Sequence, residues 1–106
     1  MPAKRGISEW RNAAAAEALD YCEKSKITQN VEQCLTLADK NMNVIDIPAI
    51  HLVTDEETRE TSLMIIVTAS GSAEEASAAY ERFNRDWTDA TRGRKLDNIL
   101  LSYTVA

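Results

Sequence analysis

Apolar and polar positions in the first part of the chain recur at helical spacing. From about Ser8 to Lys24 the pattern predicts a helix, with Ser8 as its N-cap and alanines 13 to 16 as strong helix formers. Its apolar side is diffuse. Trp10, Ala14, Ala18 and Tyr21 make one stripe, and Ala15, Leu19 and Cys22 another, so the helix is expected to touch neighbours on two sides. A cleaner helix is predicted from about Gln29 to Lys40, where Val31, Cys34, Leu35 and Ala38 share one face. Thr28 or Asn30 can cap it, and Ile27 can pack back on Val31. The two elements read as a helical hairpin.

The period then changes. Val44 to Val53 and Leu63 to Thr68 are rich in β-branched residues, separated by a polar stretch from Thr54 to Thr61. This predicts two antiparallel strands joined by an acidic loop. Pro48 donates no ladder hydrogen bond, so the first strand lies at an edge or begins there. Leu63 to Val67 is apolar at every position, the pattern of a central strand covered on both faces.

Ser72 and Glu75 form a capping box ahead of a helix whose stripe is Ala76, Ala79, Tyr80, Phe83, Trp87 and Ala90. Gly93 is a suitable stop. Asn98 to Val105 reads as a last strand, with Ile99, Leu101, Tyr103 and Val105 on one side and Leu100, Ser102 and Thr104 on the other. The order is α-α-β-β-α-β, an α+β fold. It predicts a small three-stranded sheet with the N-terminal helical hairpin and one long helix packed on it. The hairpin is expected on the face opposite the long helix, or capping an end. The final β-α-β crossover is expected to be right-handed. The apolar second strand favours the order first-second-third with the last pair parallel. Ferredoxin-like geometry would set the last strand beside the first instead.

At 106 residues the expectation is one domain spanning 1–106, able to fold without a metal or disulfide. Hydrophobic residues make up 44% and charged residues 27%, with three glycines and two prolines, so regular elements should dominate. The net charge of −5 argues against a general nucleic-acid or anionic-membrane binder and suits a basic partner. No apolar run is long enough to cross a membrane, and the alanine run after Trp10 is too short and too polar-flanked for a signal-peptide core. A cytoplasmic location is therefore expected, with Cys22 and Cys34 reduced.

Candidate chemistry is sparse. His51, the single histidine, is the natural general base, but no nucleophile accompanies it in the local pattern. Ser70 and Ser72 flank Gly71 between a strand and a helix N-terminus, a geometry that favours anions; phosphate-loop spacing is absent, and capping alone accounts for Ser72. His51, Ser70 and Ser72 are the candidate ligand-binding residues. Asp55, Glu56, Glu57 and Glu60 crowd the loop between the first two strands; without a calcium-loop glycine they read as a solvated loop or a docking surface for a basic partner. Arg82, Arg85, Arg92, Arg94 and Lys95 surround Trp87, but interspersed acids favour helix charge pairs over a nucleic-acid surface. Cys22 and Cys34 lack zinc-ligand spacing and read as small buried hydrophobes. No cofactor, metal or catalytic residue is assigned.

These features rank a non-enzymatic interaction or regulatory protein first, such as an inhibitor, an immunity-type protein or an adaptor. It would dock a protein partner through a charged surface or a sheet edge. A small ligand-binding domain or enzyme, with its pocket near His51, Ser70 and Ser72, is the alternative. Nucleic-acid binding ranks third. Three strands leave exposed edges, which predicts pairing of two copies as a homodimer.

Overall fold

The computed structural model describes residues 9–93 and 98–106. Ser8, Arg94 and Lys95 lie outside the described residues. The chain forms α1 (Trp10–Ala13), α2 (Ala16–Lys24), α3 (Thr28–Asn41), β1 (Ala49–Thr54), β2 (Thr61–Ala69), α4 (Ala73–Ala90) and β3 (Ile99–Val105). No helix among the described residues is long and apolar enough to cross a membrane.

The first predicted helix is broken where alanine is richest. Ala14 and Ala15 are extended, with ψ of 145° and 143°. The Ala15 N–H leaves the helical ladder and donates to the Ile50 carbonyl of β1 at 3.4 Å. Two methyl side chains let this backbone approach the strand, so a tertiary contact overrides local propensity. The break lays α1 and α2 along β1 and shields part of its outer edge.

α2 ends in a Schellman motif. The Ile27 N–H donates to Cys22 O and the Lys26 N–H to Glu23 O, which turns Lys26 to φ 59°. Ile27 is also the residue that starts α3, which carries no side-chain cap, so neither Thr28 nor Asn30 caps it. Ile27 is instead buried against the core, which fixes where the chain enters α3. Left-handed backbone costs a β-carbon-bearing residue about 1–2 kcal/mol. Lys26→Gly is therefore expected to raise the unfolding free energy by about 1 kcal/mol, measured by urea titration. An unchanged midpoint would show that the motif is not strained.

The sheet has order β1-β2-β3. β1 runs antiparallel to β2, pairing His51 with Met64 and Ile50 with Ile65. β3 runs parallel to β2, pairing Met64 with Leu100 and Ile66 with Ser102. β2 is central, as its composition predicts, and the ferredoxin-like order is not adopted. β1 begins at Ala49, immediately after buried Pro48, rather than at Val44; Val44 instead makes a lone bridge to Ala69.

The four helices do not divide between the two faces. The α3 face Val31, Cys34, Leu35 and Ala38 joins Ala76, Ala79 and Phe83 of α4 in one buried cluster. The same cluster takes Leu63, Ile65, Val67 and Ala69 from β2. α3 and α4 also pack on one another, tied by the Asn41 amide, which donates to Asp86 at 2.9 Å. The expected placement of the hairpin on the opposite face is thus corrected: the helices among the described residues lie on one side. Among the described residues β2 is covered on that side alone, not on both. Its other residues, Ser62, Met64, Ile66 and Thr68, are half-exposed.

Candidate functional site

His51, Ser70 and Ser72 are not brought together. His51 is exposed on β1, on the face without helices, and sits opposite Met64. Ser70 follows the far end of β2, six residues beyond Met64. At a rise of ~3.3 Å per residue the two lie about 20 Å apart along the strand. No nucleophile–base or acid–base pair forms from this set.

Ser72 is occupied in folding. Its hydroxyl accepts from the Glu75 N–H at 3.1 Å, and the Glu75 carboxylate accepts from the Ser72 N–H at 3.2 Å. This reciprocal capping box starts α4. Ser70 has a different setting. Its N–H donates to the Asn43 carbonyl at 3.0 Å, and its hydroxyl is hydrogen-bonded to the Asn43 amide. It borders an open cleft of about 150 Å³ between the end of β2, the α3–β1 connection and α4. Asn41, Asn43, Glu75 and Arg82 supply the polar lining, over a floor of Met42 and three alanines. Arg82 had no place among the ligand-binding candidates read from the sequence, because only the packing of α3 on α4 carries it to this cleft. Groups of these types can hold a small polar molecule through hydrogen bonds and one guanidinium. They contain no thiol and no imidazole for covalent or general-base chemistry.

The acidic turn resolves into two roles. The Asp55 carboxylate accepts from the Glu57 N–H at 2.8 Å and the Thr58 N–H at 3.3 Å. Its own N–H donates to Glu60 O, and its carbonyl accepts from the Arg59 N–H. Asp55 therefore builds the turn, as aspartate does wherever its side chain satisfies the amides that follow. Glu56, Glu57 and Glu60 are exposed around it. Among the described residues no three His, Cys, Asp or Glu side chains are grouped to hold a metal ion.

Trp87 is committed to packing, stacked on Phe83 at 6.3 Å and 10°. Arg82, Arg85 and Arg92 are exposed, and Arg92 pairs with Asp89 at 3.1 Å.

Both cysteines are free and buried. Burial raises the Cys22 thiol; Arg11 opposes that shift and Glu23 adds to it. Burial pushes Cys34 up to about 12, from an ordinary 9.0. A folded-state value above the unfolded one means that this contribution to stability is intact below about pH 9. It is then lost as the pH climbs towards 12, because the unfolded chain releases the proton first. Wild type should lose melting temperature more steeply than Cys34→Ala across that window. Parallel slopes in thermal scans would exclude the effect.

Two further features complete the surface. The first is the outer edge of β3. The Leu63 N–H bonds to Asn98 O and the Ala106 N–H to Ala69 O, so even-numbered residues of β3 face β2 across the ladder. By parallel alternation the N–H and C=O groups of Leu101, Tyr103 and Val105 point away from β2. The Tyr80 hydroxyl occupies the Leu101 carbonyl at 2.8 Å. Among the described residues no backbone bond reaches Tyr103 or Val105 from that side. The second feature is the helix-free face itself. Of the 17 acidic and 12 basic residues in the chain, none lies in any of the three strands. That signal was available in the sequence, but it becomes a surface only once one face is known to be open.

Compared with protein-family models, curated proteins and solved structures, the chain matches none.

Proposed function

We propose that this chain is a non-enzymatic interaction protein, acting as a homodimer, that docks a protein partner by strand addition along the outer edge of β3. The carrying observation is the row at Tyr103 and Val105, unpaired among the described residues, on a strand with no charge and no proline to blunt it. An extended segment laid beside β3 gains main-chain hydrogen bonds at once, while alternate side-chain positions supply selectivity. Exposed Glu56, Glu57 and Glu60 at the opposite end of β2 favour a partner with a basic surface and speed its encounter. The separation of His51, Ser70 and Ser72 further supports a docking role over catalysis.

Val105→Pro tests this reading. It removes an outward N–H without touching the ladder to β2, and Val105 is 39% exposed, so little packing is lost. The tagged chain and this variant would be compared for proteins captured from native lysate, with circular dichroism confirming the fold. Loss of the captured partner in the variant is the expected result. Equal capture by both would remove the β3 edge from consideration.

A second reading is supported by the polar lining of the cleft at Ser70, whose volume of about 150 Å³, below the ~300 Å³ of ordinary ligand pockets, limits it to a ligand of few heavy atoms. Native mass spectrometry of gently purified protein would give added non-peptide mass on that reading, and Arg82→Ala should abolish the added mass.

A further inference from the structure

The open face of the sheet is laid out in cross-strand rows. His51, Met64 and Leu100 form one row, and Ala49, Ile66 and Ser102 the next. Val53 beside Ser62 closes one end, and Thr68 beside Thr104 the other. Ile45, whose N–H donates to Thr68 O, extends the apolar surface past that second end. Three large apolar side chains stand out here: Ile45 is 52% exposed, Leu100 41% and Val53 40%. Met64 and Ile66, at the middle of the central strand, are half-exposed and are not part of the buried cluster.

We propose that this face is a self-association surface on which a second copy of the chain packs sheet against sheet. It deepens the homodimer reading by naming the surface, and it is independent of partner docking at β3. Charge selects the occupant. The chain carries −5 overall, so two copies repel wherever helices or the acidic turn meet. The three strands of this face carry no aspartate, glutamate, lysine or arginine, and there two copies meet without burying an unpaired carboxylate, ammonium or guanidinium. A charged partner would gain no complementary group on it. A neutral face is its own complement, as a two-fold interface requires, because the same patch must serve both sides. Aligned packing of twisted sheets about 10 Å apart would place the two β2 strands across the axis, with Met64 and Ile66 meeting their equivalents.

Area sets the strength. Strand spacing of ~4.8 Å and rise of ~3.3 Å give this face a plan area of roughly 350 Å². A standard stable interface takes ~800 Å² from each partner, so the association belongs to the weak, concentration-dependent class. An edge-to-edge contact between two β3 strands offers less, since it is a single short row in which the Leu101 carbonyl is already taken by the Tyr80 hydroxyl. The face is therefore the surface assigned to the second copy.

Sedimentation velocity from about 5 μM to about 500 μM, the span that brackets weak association, is the test. Methyl NMR of the full chain over the same range would accompany it. The mass is expected to rise towards a dimer, and the Met64 methyl resonance to shift with concentration while buried Met42 stays fixed. Raising salt from about 0.05 M to about 0.5 M should strengthen association, because it screens repulsion between like-charged copies. Ile66→Lys should weaken dimerisation at least tenfold, whereas Ser77→Lys on the exposed side of α4 should leave it unchanged. Should Ile66→Lys fold poorly, Ser102→Lys addresses the same row, and the Met64 shift needs no variant. A monomer throughout would overturn the proposal. So would a dimer that forms with Met64 unmoved, or one that survives Ser102→Lys unchanged. Dimerisation lost in the face variants with capture through β3 retained, or the reverse, separates this proposal from edge docking.

Discussion

Phe83→Ala is expected to lower the unfolding free energy by about 3–5 kcal/mol, the usual loss when a large buried aromatic leaves a cavity. Phe83 is 1% exposed and belongs to the cluster shared by helices and sheet. Its ring stacks on Tyr80 at 6.2 Å on one side and on Trp87 at 6.3 Å on the other. Tyr80 in turn meets Tyr103 of β3 at 5.0 Å, so the aromatic row fastens α4 to the strand that ends the crossover. Domains of this size hold roughly 5–15 kcal/mol in total, so the variant should lie near the limit of folding at ambient temperature. Urea or guanidinium titration followed by circular dichroism measures it. A loss below about 1 kcal/mol would mean that the site collapses around the missing ring and that the row is not the centre of the core.

The second large effect is a contrast between neighbours. Ile65→Ala should cost about 2–5 kcal/mol and Ile66→Ala under about 1 kcal/mol in the monomer, although the side chains are identical and adjacent. Ile65 is fully buried beneath the helices, whereas Ile66 stands half-exposed on the open face. Successive strand residues point to opposite sides, so one position decides whether a side chain leaves a cavity or an open patch. Denaturant titration at low protein concentration, where copies are apart, isolates the monomer term. At high concentration Ile66→Ala should additionally weaken self-association, while Ile65→Ala should not. Equal costs for the two at low concentration would show that the second face is covered within one chain, and the self-association surface would be lost with it.

The local pattern determined much of the molecule. Ser72 and Glu75 close the capping box they predict, because both partners are three residues apart and need nothing distant. The α4 stripe buries Ala76, Ala79 and Phe83 as its spacing requires, and Val31, Cys34, Leu35 and Ala38 of α3 do the same. The strand character of β2 and β3 and the α+β class follow from period and composition, which favour a central β2 but leave the ferredoxin-like order open until the pairing is seen. Asp55, Glu56, Glu57 and Glu60 fall in a turn, as a polar stretch between apolar runs should.

Tertiary structure decided what depends on residues far apart in sequence. The break at Ala14 and Ala15 rests on a carbonyl at Ile50, which no helix propensity contains. Arg82 reaches the Ser70 cleft because α3 packs on α4, whereas His51 and Ser70 are kept apart by the length of a strand whose ends are fixed by pairing. Above all, an apolar run such as Leu63 to Val67 specifies that both faces of β2 are fit for burial, but not what buries each. Sequence encodes the hydrophobicity of a face. Which faces the chain's own helices cover depends on how they pack, and here those among the described residues occupy one side.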